Sequence, residues 1–222
     1  MTAALIVAAG SGSRMGFDKL LASLRGEPVI LHTLRAFQEC AAIDGFWIVA
    51  GGERGAQMAR LAEVAGLTKF RGVVEGGRER HLSVCNGLAA LPADTDLVAV
   101  HDGARPLIAP ELISRCVARA NELGAAACAR RITETIKRAD DDACVTESVS
   151  RVGLWAMETP QVFRRDLLVS SYEKVLAEGL VATDEVSVVE HAGHAVWLVE
   201  NLTPNLKITL PGDLEMAERL LL

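Results

Sequence analysis

The sequence predicts an α/β fold of Rossmann-like, three-layer type: a mainly parallel sheet between helices, with a projecting β-hairpin arm. Three observations predict it. Short apolar runs at 3–7, 46–50, 70–74, 97–101 and 125–129 read as buried strands. Between them lie stretches with apolar residues near a 3.6 period, the rhythm of right-handed βαβ units. After Arg130 that rhythm breaks, and β-branched residues flank the polar turn "ADDDA", the mark of a hairpin.

Taken in order, "AALIV" is the first strand and runs directly into "AAGSGSRMGFDKL", a Gly-rich loop. "PVILHTLRAFQEC" is a helix, "FWIVA" a strand, and "RGAQMARLAEVAG" a helix that stops at Gly66. "FRGVV" precedes a helix starting near Ser83 in "LSVCNGLAAL". "LVAVH" precedes "PELISRCVARANELG", with Pro110 at the helix start and Gly124 just past its end. "AAACA" leads into the arm, 131–153. Beyond it come the helix "RRDLLVSSYEKVLAEG", a short helix capped by Thr183 or Asp184, the strand "AVWLVE" and a final helix from Pro211. With no repeat or linker, residues 1–222 read as one domain bearing the arm.

Composition narrows the function classes. Half of the 222 residues are apolar and only 4% aromatic, so Ala, Val and Leu fill a core. A formal net charge of -6 disfavours non-specific nucleic-acid binding, which needs a basic face to release counterions. The five cysteines are scattered without a C-x-x-C pair, against a disulfide framework or thiolate metal site and in favour of a reducing compartment. "MTAALIVAAG" lacks the order of a signal peptide and is too short to span a bilayer. The expectation is a soluble, cytoplasmic protein with no membrane partner.

In an open parallel sheet, ligands bind at the carboxyl ends of the strands, so the loops that follow strands carry the chemistry. Gly10, Gly12 and Gly16 are spaced one residue too long for the dinucleotide fingerprint, and no G-K-[ST] makes a P-loop. A dehydrogenase reading therefore rests on topology alone. Arg14 inside the loop and Lys19 beyond it suit a triphosphate undergoing substitution, whose developing charge fixed cations stabilise. The bland alternative is a solvated loop. In "VAVHDGARP", Asp102 at a strand tip is a candidate Mg²⁺ ligand, or else caps a turn and pairs with Arg105; His101 reads as a packed strand residue. In "EGGRERHLSV", Gly76 and Gly77 let the backbone approach a flat ligand, while Ser83 either caps the helix or bonds the ligand. Thr135, Arg151, Thr159 and Lys207, the last in a strand-like run beside Thr209, offer a second anion pocket, although spacing alone does not bring them together.

"AAGSGSRMGFDKL", "HDGARP", "LWAMETPQVF", "TDE" and "NLKIT", in this order, resemble the 2-C-methyl-D-erythritol 4-phosphate cytidylyltransferase family across nearly the whole chain. The resemblance implies a nucleotidyltransferase fold, CTP and a polyol phosphate as substrates, Mg²⁺ as cofactor, and release of pyrophosphate in nonmevalonate isoprenoid synthesis. It implies that Arg14 and Lys19 neutralise the transition state, and that Ala8, Ala9, Gly10, Gly76, Gly77 and Ser83 enclose cytosine and ribose. It places Asp102 against nucleotide and metal, and Thr135, Arg151, Thr159, Thr183, Lys207 and Thr209 around the acceptor, with Arg151 and Lys207 gripping its phosphate. It also implies a homodimer through the arm. Ribitol-phosphate cytidylyltransferase shares most of these motifs; a dehydrogenase and a non-catalytic nucleotide-sensing module are alternatives of other classes.

Overall fold

The fold, seen in a computed structural model that describes residues 1–10 and 17–221, is built on a seven-stranded sheet. The elements in chain order are β1 (Thr2–Val7), β2 (Ser23–Leu24), β3 (Glu27–Pro28), α1 (Val29–Glu39), β4 (Gly45–Val49), α2 (Gly52–Val64), β5 (Phe70–Val74), α3 (Arg80–Ala90) and β6 (Leu97–Asp102). They continue with α4 (Pro110–Leu123), β7 (Ala125–Arg131), β8 (Ile136–Ala139), β9 (Val145–Val149), β10 (Trp155–Arg164), α5 (Arg165–Ala177), α6 (Glu185–His191), β11 (Trp197–Glu200) and α7 (Pro211–Leu220). The sheet runs β11-β7-β10-β6-β1-β4-β5, and every pairing is parallel except those of β10 with β6 and β7.

Alternation along the strands feeds two cores. Ala4, Ile6, Phe46, Ile48, Ala99 and Val162 point to one face and pack with Ile30, Phe37, Met58 and Ile113. Ala3, Leu5, Trp47, Val49, Val98, Val100 and Phe163 point to the other, against Leu88, Leu168, Tyr172 and Val189. Helices on both faces make the three layers. Pro110 opens α4, Gly124 closes it at φ +90°, and Asp184, not Thr183, caps α6 by accepting from the Ser187 N–H.

"LWAMETPQVF", to which the apolar periodicity assigns no element, is most of β10, a long antiparallel strand inserted between β6 and β7. Pro160 lacks an N–H to give to a ladder, and it sits inside the register shift between Met157 and Gln161, where no pair is made. One expectation needs correcting: the run around Lys207 is not a strand, and 201–209 is an irregular strap laid over the loop after β6, with Ile208 N–H donating to the Ala104 carbonyl at 2.8 Å. The arm is the exposed hairpin β8–β9, a two-stranded sheet of its own rooted where Trp155 pairs with Arg131.

Candidate active site

Asp102 is the last residue of β6, 7% exposed, and three cations converge on it. Lys207 Nζ lies 2.8 Å from Oδ2, Arg105 Nε 3.4 Å from Oδ2 and Arg80 Nε 3.4 Å from Oδ1. Burial works against the charge, but Lys207, Arg80 and Arg105 outweigh it and hold the carboxyl well below the usual carboxylate range. Beneath it, the Asp102 N–H donates to Thr159 Oγ1 at 3.1 Å, and that hydroxyl meets His101 Nδ1 at 3.0 Å. His101 is fully buried against Phe37, and burial pushes it down to about 3, so it stays neutral and structural.

Arg80 braces the site from α3. Its guanidinium forms a two-pronged pair with the buried Glu185, at 2.7 and 2.9 Å, and Tyr172 Oη donates to the same carboxylate at 2.9 Å. Burial, then the Glu185 charge, pushes the Tyr172 hydroxyl above its usual range, which keeps it a donor. The N-terminus of α3 is thus tied at once to α6 and to the tip of β6.

The loops after β1 and β5 touch. A Cβ on Gly76 would come within 2.6 Å of Ala9 Cβ, and one on Gly77 within 2.6 Å of Leu82 Cβ, so glycine is required at both for this approach. Ser83 is not the cap at the helix start: α3 begins at Arg80, and the buried Ser83 hydroxyl accepts from the Gly77 N–H at 3.0 Å and donates to the Glu79 carbonyl at 2.9 Å. Arg54 on α2 donates to the Ala8 and Gly10 carbonyls, both at 2.7 Å, and to Asp18 Oδ1 at 2.8 Å, bracketing the Gly-rich loop from both ends. Lys19 donates to the Ile208 carbonyl at 2.8 Å, which joins that loop to the strap carrying Lys207.

The structure therefore brings together Ala8, Ala9, Gly10, Lys19, Gly76, Gly77, Ser83, Asp102, Thr159, Lys207 and Thr209 at the carboxyl ends of β1, β5 and β6. Thr159 is buried, with its hydroxyl spent beneath Asp102, and Thr209 gives its hydroxyl to Asp213 at 2.8 Å. Thr183 is exposed, one residue before the α6 cap. Thr135 and Arg151 stand apart at the arm, where Arg151 donates to the Thr133 carbonyl; among the described residues no hydrogen bond or ion pair links them to Asp102. Arg14 lies outside the described residues. Arg54, Arg80 and Glu185 escaped the sequence reading as site residues because their partners are remote in the chain; the only local hint was the TDE motif, whose Glu is Glu185.

A metal cage is not formed: among the described residues no three His, Cys, Asp or Glu side chains group to hold an ion. A single ionised carboxylate at a strand tip fits Mg²⁺, which takes one or two carboxylates and draws its other ligands from substrate phosphates and water.

Lys207, Arg80 and Arg105 gather on Asp102 at this rim with Lys19 beside them, an arrangement that suits an anionic ligand, and the fold is that of α/β enzymes that act on nucleotide phosphates. The family model for 2-C-methyl-D-erythritol 4-phosphate cytidylyltransferase matches residues 2–222. The chain belongs to that family. The protein of that name from Pelotomaculum thermopropionicum is 42% identical over 219 residues, covering 97% of this chain and 92% of its own. The one from Alkaliphilus oremlandii is 39% identical over 223 residues, covering 99% and 94%. The crystal structure of 4-diphosphocytidyl-2C-methyl-D-erythritol synthase from Anaerococcus prevotii matches with a TM-score of 0.88 at 30% identity, covering 100% of this chain and 96% of that one.

Proposed function

We propose that the chain transfers the cytidylyl group of CTP to the phosphate of 2-C-methyl-D-erythritol 4-phosphate, a step in isoprenoid synthesis by the nonmevalonate route. A phosphate oxygen of the acceptor attacks the α-phosphorus of CTP, the bond to the β-phosphate oxygen breaks, and pyrophosphate leaves. One observation carries the reading: a family match over residues 2–222 falls on a chain whose cations converge at the strand tips.

No nucleophilic side chain is needed, because such transfers depend on positioning and charge neutralisation. Arg14 and Lys19 would carry the charge of the α-phosphate and departing pyrophosphate. The Ala8–Gly10 backbone, Gly76, Gly77 and Ser83 would enclose the nucleoside. Asp102, kept ionised, would hold Mg²⁺ together with the triphosphate; the ion, when bound, supplies further neutralisation at the phosphates. Lys207 would exchange its Asp102 partner for the acceptor phosphate, with Thr183 and Thr209 near the acceptor and Thr159 shaping the floor below. The exposed arm would place Thr135 and Arg151 in the site of a second copy, making a homodimer. No helix among the described residues is long and apolar enough to cross a membrane, and the compartment we assign is the cytoplasm.

The test is pyrophosphate release with each of the four nucleoside triphosphates, with and without methylerythritol phosphate, in Mg²⁺ and in EDTA. Release is expected only with CTP, acceptor and Mg²⁺ together. Release that survives EDTA would remove the metal assignment, and release with another nucleotide would remove the cytidylyl assignment.

A further inference from the structure

Glu158 is a carboxylate buried beside the site and unused by the chemistry above, 6% exposed on β10. Its Oε2 accepts from Asn201 Nδ2 at 2.9 Å and from Asn205 Nδ2 at 3.1 Å, while Oε1 faces Arg130 Nε at 3.8 Å. Both asparagines belong to the irregular strap, and Asn205 is two residues before Lys207. The Asn205 amide also donates to the Thr159 carbonyl at 2.9 Å, and its own side-chain oxygen is buried with no hydrogen-bond partner among the described residues. That amide is placed for what it donates. The next residue, Thr159, holds the other half of the pair through the Asp102 N–H. Two successive residues of β10 therefore set the Lys207–Asp102 geometry, Glu158 through the strap and Thr159 through the strand tip.

We propose that Glu158 is a positioning residue for acceptor recognition: by gripping Asn201 and Asn205 it fixes the strap and aims Lys207. The strap has no helix or strand of its own, and its other holds include the Asn201 N–H bond to the Ala129 carbonyl, the Arg105 Nη1 bond to the Asn205 carbonyl, the Ile208 N–H bond to Ala104 and the Lys19 bond to the Ile208 carbonyl, all at 2.8 Å. Removing the carboxylate takes one partner from each of two buried amides, which keep only the Thr203 and Thr159 carbonyls, so the strap shifts to satisfy the freed N–H groups and carries Lys207 with it. The proposal rests on the reading that Lys207 meets the acceptor phosphate.

The experiment is steady-state kinetics of full-length Glu158→Leu, Glu158→Gln, Lys207→Ala and the Glu158→Leu/Lys207→Ala double variant. Glu158→Leu is expected to raise KM for methylerythritol phosphate on the order of tenfold, with KM for CTP within about twofold of the parent. Glu158→Gln, which keeps one oxygen for both amides, restores most of the loss. In the Lys207→Ala background, Glu158→Leu adds less than about twofold, because its effect runs through that lysine. Should Glu158→Leu not fold, Asn205→Ala breaks the same link from the strap side and is expected to give the same split between the two KM values. Equal rises in both KM values, an unchanged acceptor KM, or full additivity with Lys207→Ala would overturn the positioning role. If Lys207→Ala itself leaves acceptor KM unchanged, the assignment of Lys207 falls first, and this inference falls with it.

Discussion

At the scale of single residues, the site is an exercise in keeping charge fixed before the ligand arrives. Lys19 is held by the Ile208 carbonyl, which pre-orients its ammonium at the strand tips. In the proposed role its contact with the transferring phosphate would strengthen in the transition state, so Lys19→Ala is expected to lower kcat by roughly 10²-fold or more, with a modest change in KM for CTP. A raised CTP KM at unchanged kcat would contradict that role. Asp102 makes a different prediction, about stability. Its folded pKa lies below its unfolded value, so its contribution is fully present above the unfolded pKa and is lost as pH falls through the folded one. Asp102→Asn strands Lys207 and Arg105 without their counter-charge and is expected to cost about 3 kcal/mol at neutral pH. The gap between parent and variant in urea denaturation should hold from neutral pH down to about 4 and narrow below it; a gap that stays constant into stronger acid would refute the assignment. Lys19, Asp102 and Lys207 were legible in the sequence because each sits in a short motif that follows a strand or flanks the final helix. Arg80 was not, since its partner Glu185 is 105 positions away and only the folded chain sets them face to face.

At the scale of elements, the loops after β1 and β5 are built to approach closely, and small residues permit it. Gly76→Ala puts a methyl group within 2.6 Å of Ala9 Cβ, which neither loop accommodates without moving. The expected cost is about 1–3 kcal/mol in chemical denaturation, together with a raised KM for CTP as the two loops part. A variant as stable as the parent, binding CTP equally well, would mean that the contact is softer than the geometry states. Arg54 works at the same scale, since α2 reaches both ends of the Gly-rich loop through it. The βα elements up to β7 were legible because buried parallel strands are continuous apolar runs and their helices carry a 3.6 period. β10 was not legible. It is antiparallel, it contains Glu158, Thr159 and Pro160 in its middle, and its buried polar side chains serve the site in place of the core. A strand bent to functional use loses the apolar signature that would announce it. The strap 201–209 misled for the opposite reason: "NLKIT" has the composition of a strand, yet its backbone bonds go to loops and side chains.

At the scale of the whole molecule, the arm is the feature the monomer does not account for. β8 and β9 pair only with each other, most of their side chains are exposed, and Val145, Val152 and Leu154 stand in solvent. If the arm completes a partner's site, two crippled variants should rescue one another. Mixing Lys19→Ala with Arg151→Ala under subunit exchange places one intact body beside one intact arm in each heterodimer. About a quarter of parental activity is expected for a two-fold symmetric dimer at equal proportions; no recovery despite exchange would place Arg151 in its own subunit's site.

The identity of the reaction is best tested by competition between acceptors. ³¹P NMR of the enzyme with CTP, Mg²⁺ and equal amounts of methylerythritol phosphate and ribitol phosphate reports product and leaving group together. The expected product gives the diphosphate signals of cytidine diphosphate joined to methylerythritol, with matching pyrophosphate and ribitol phosphate left untouched. Cytidine diphosphate joined to ribitol as the product, or no pyrophosphate at all, would contradict the proposed reaction.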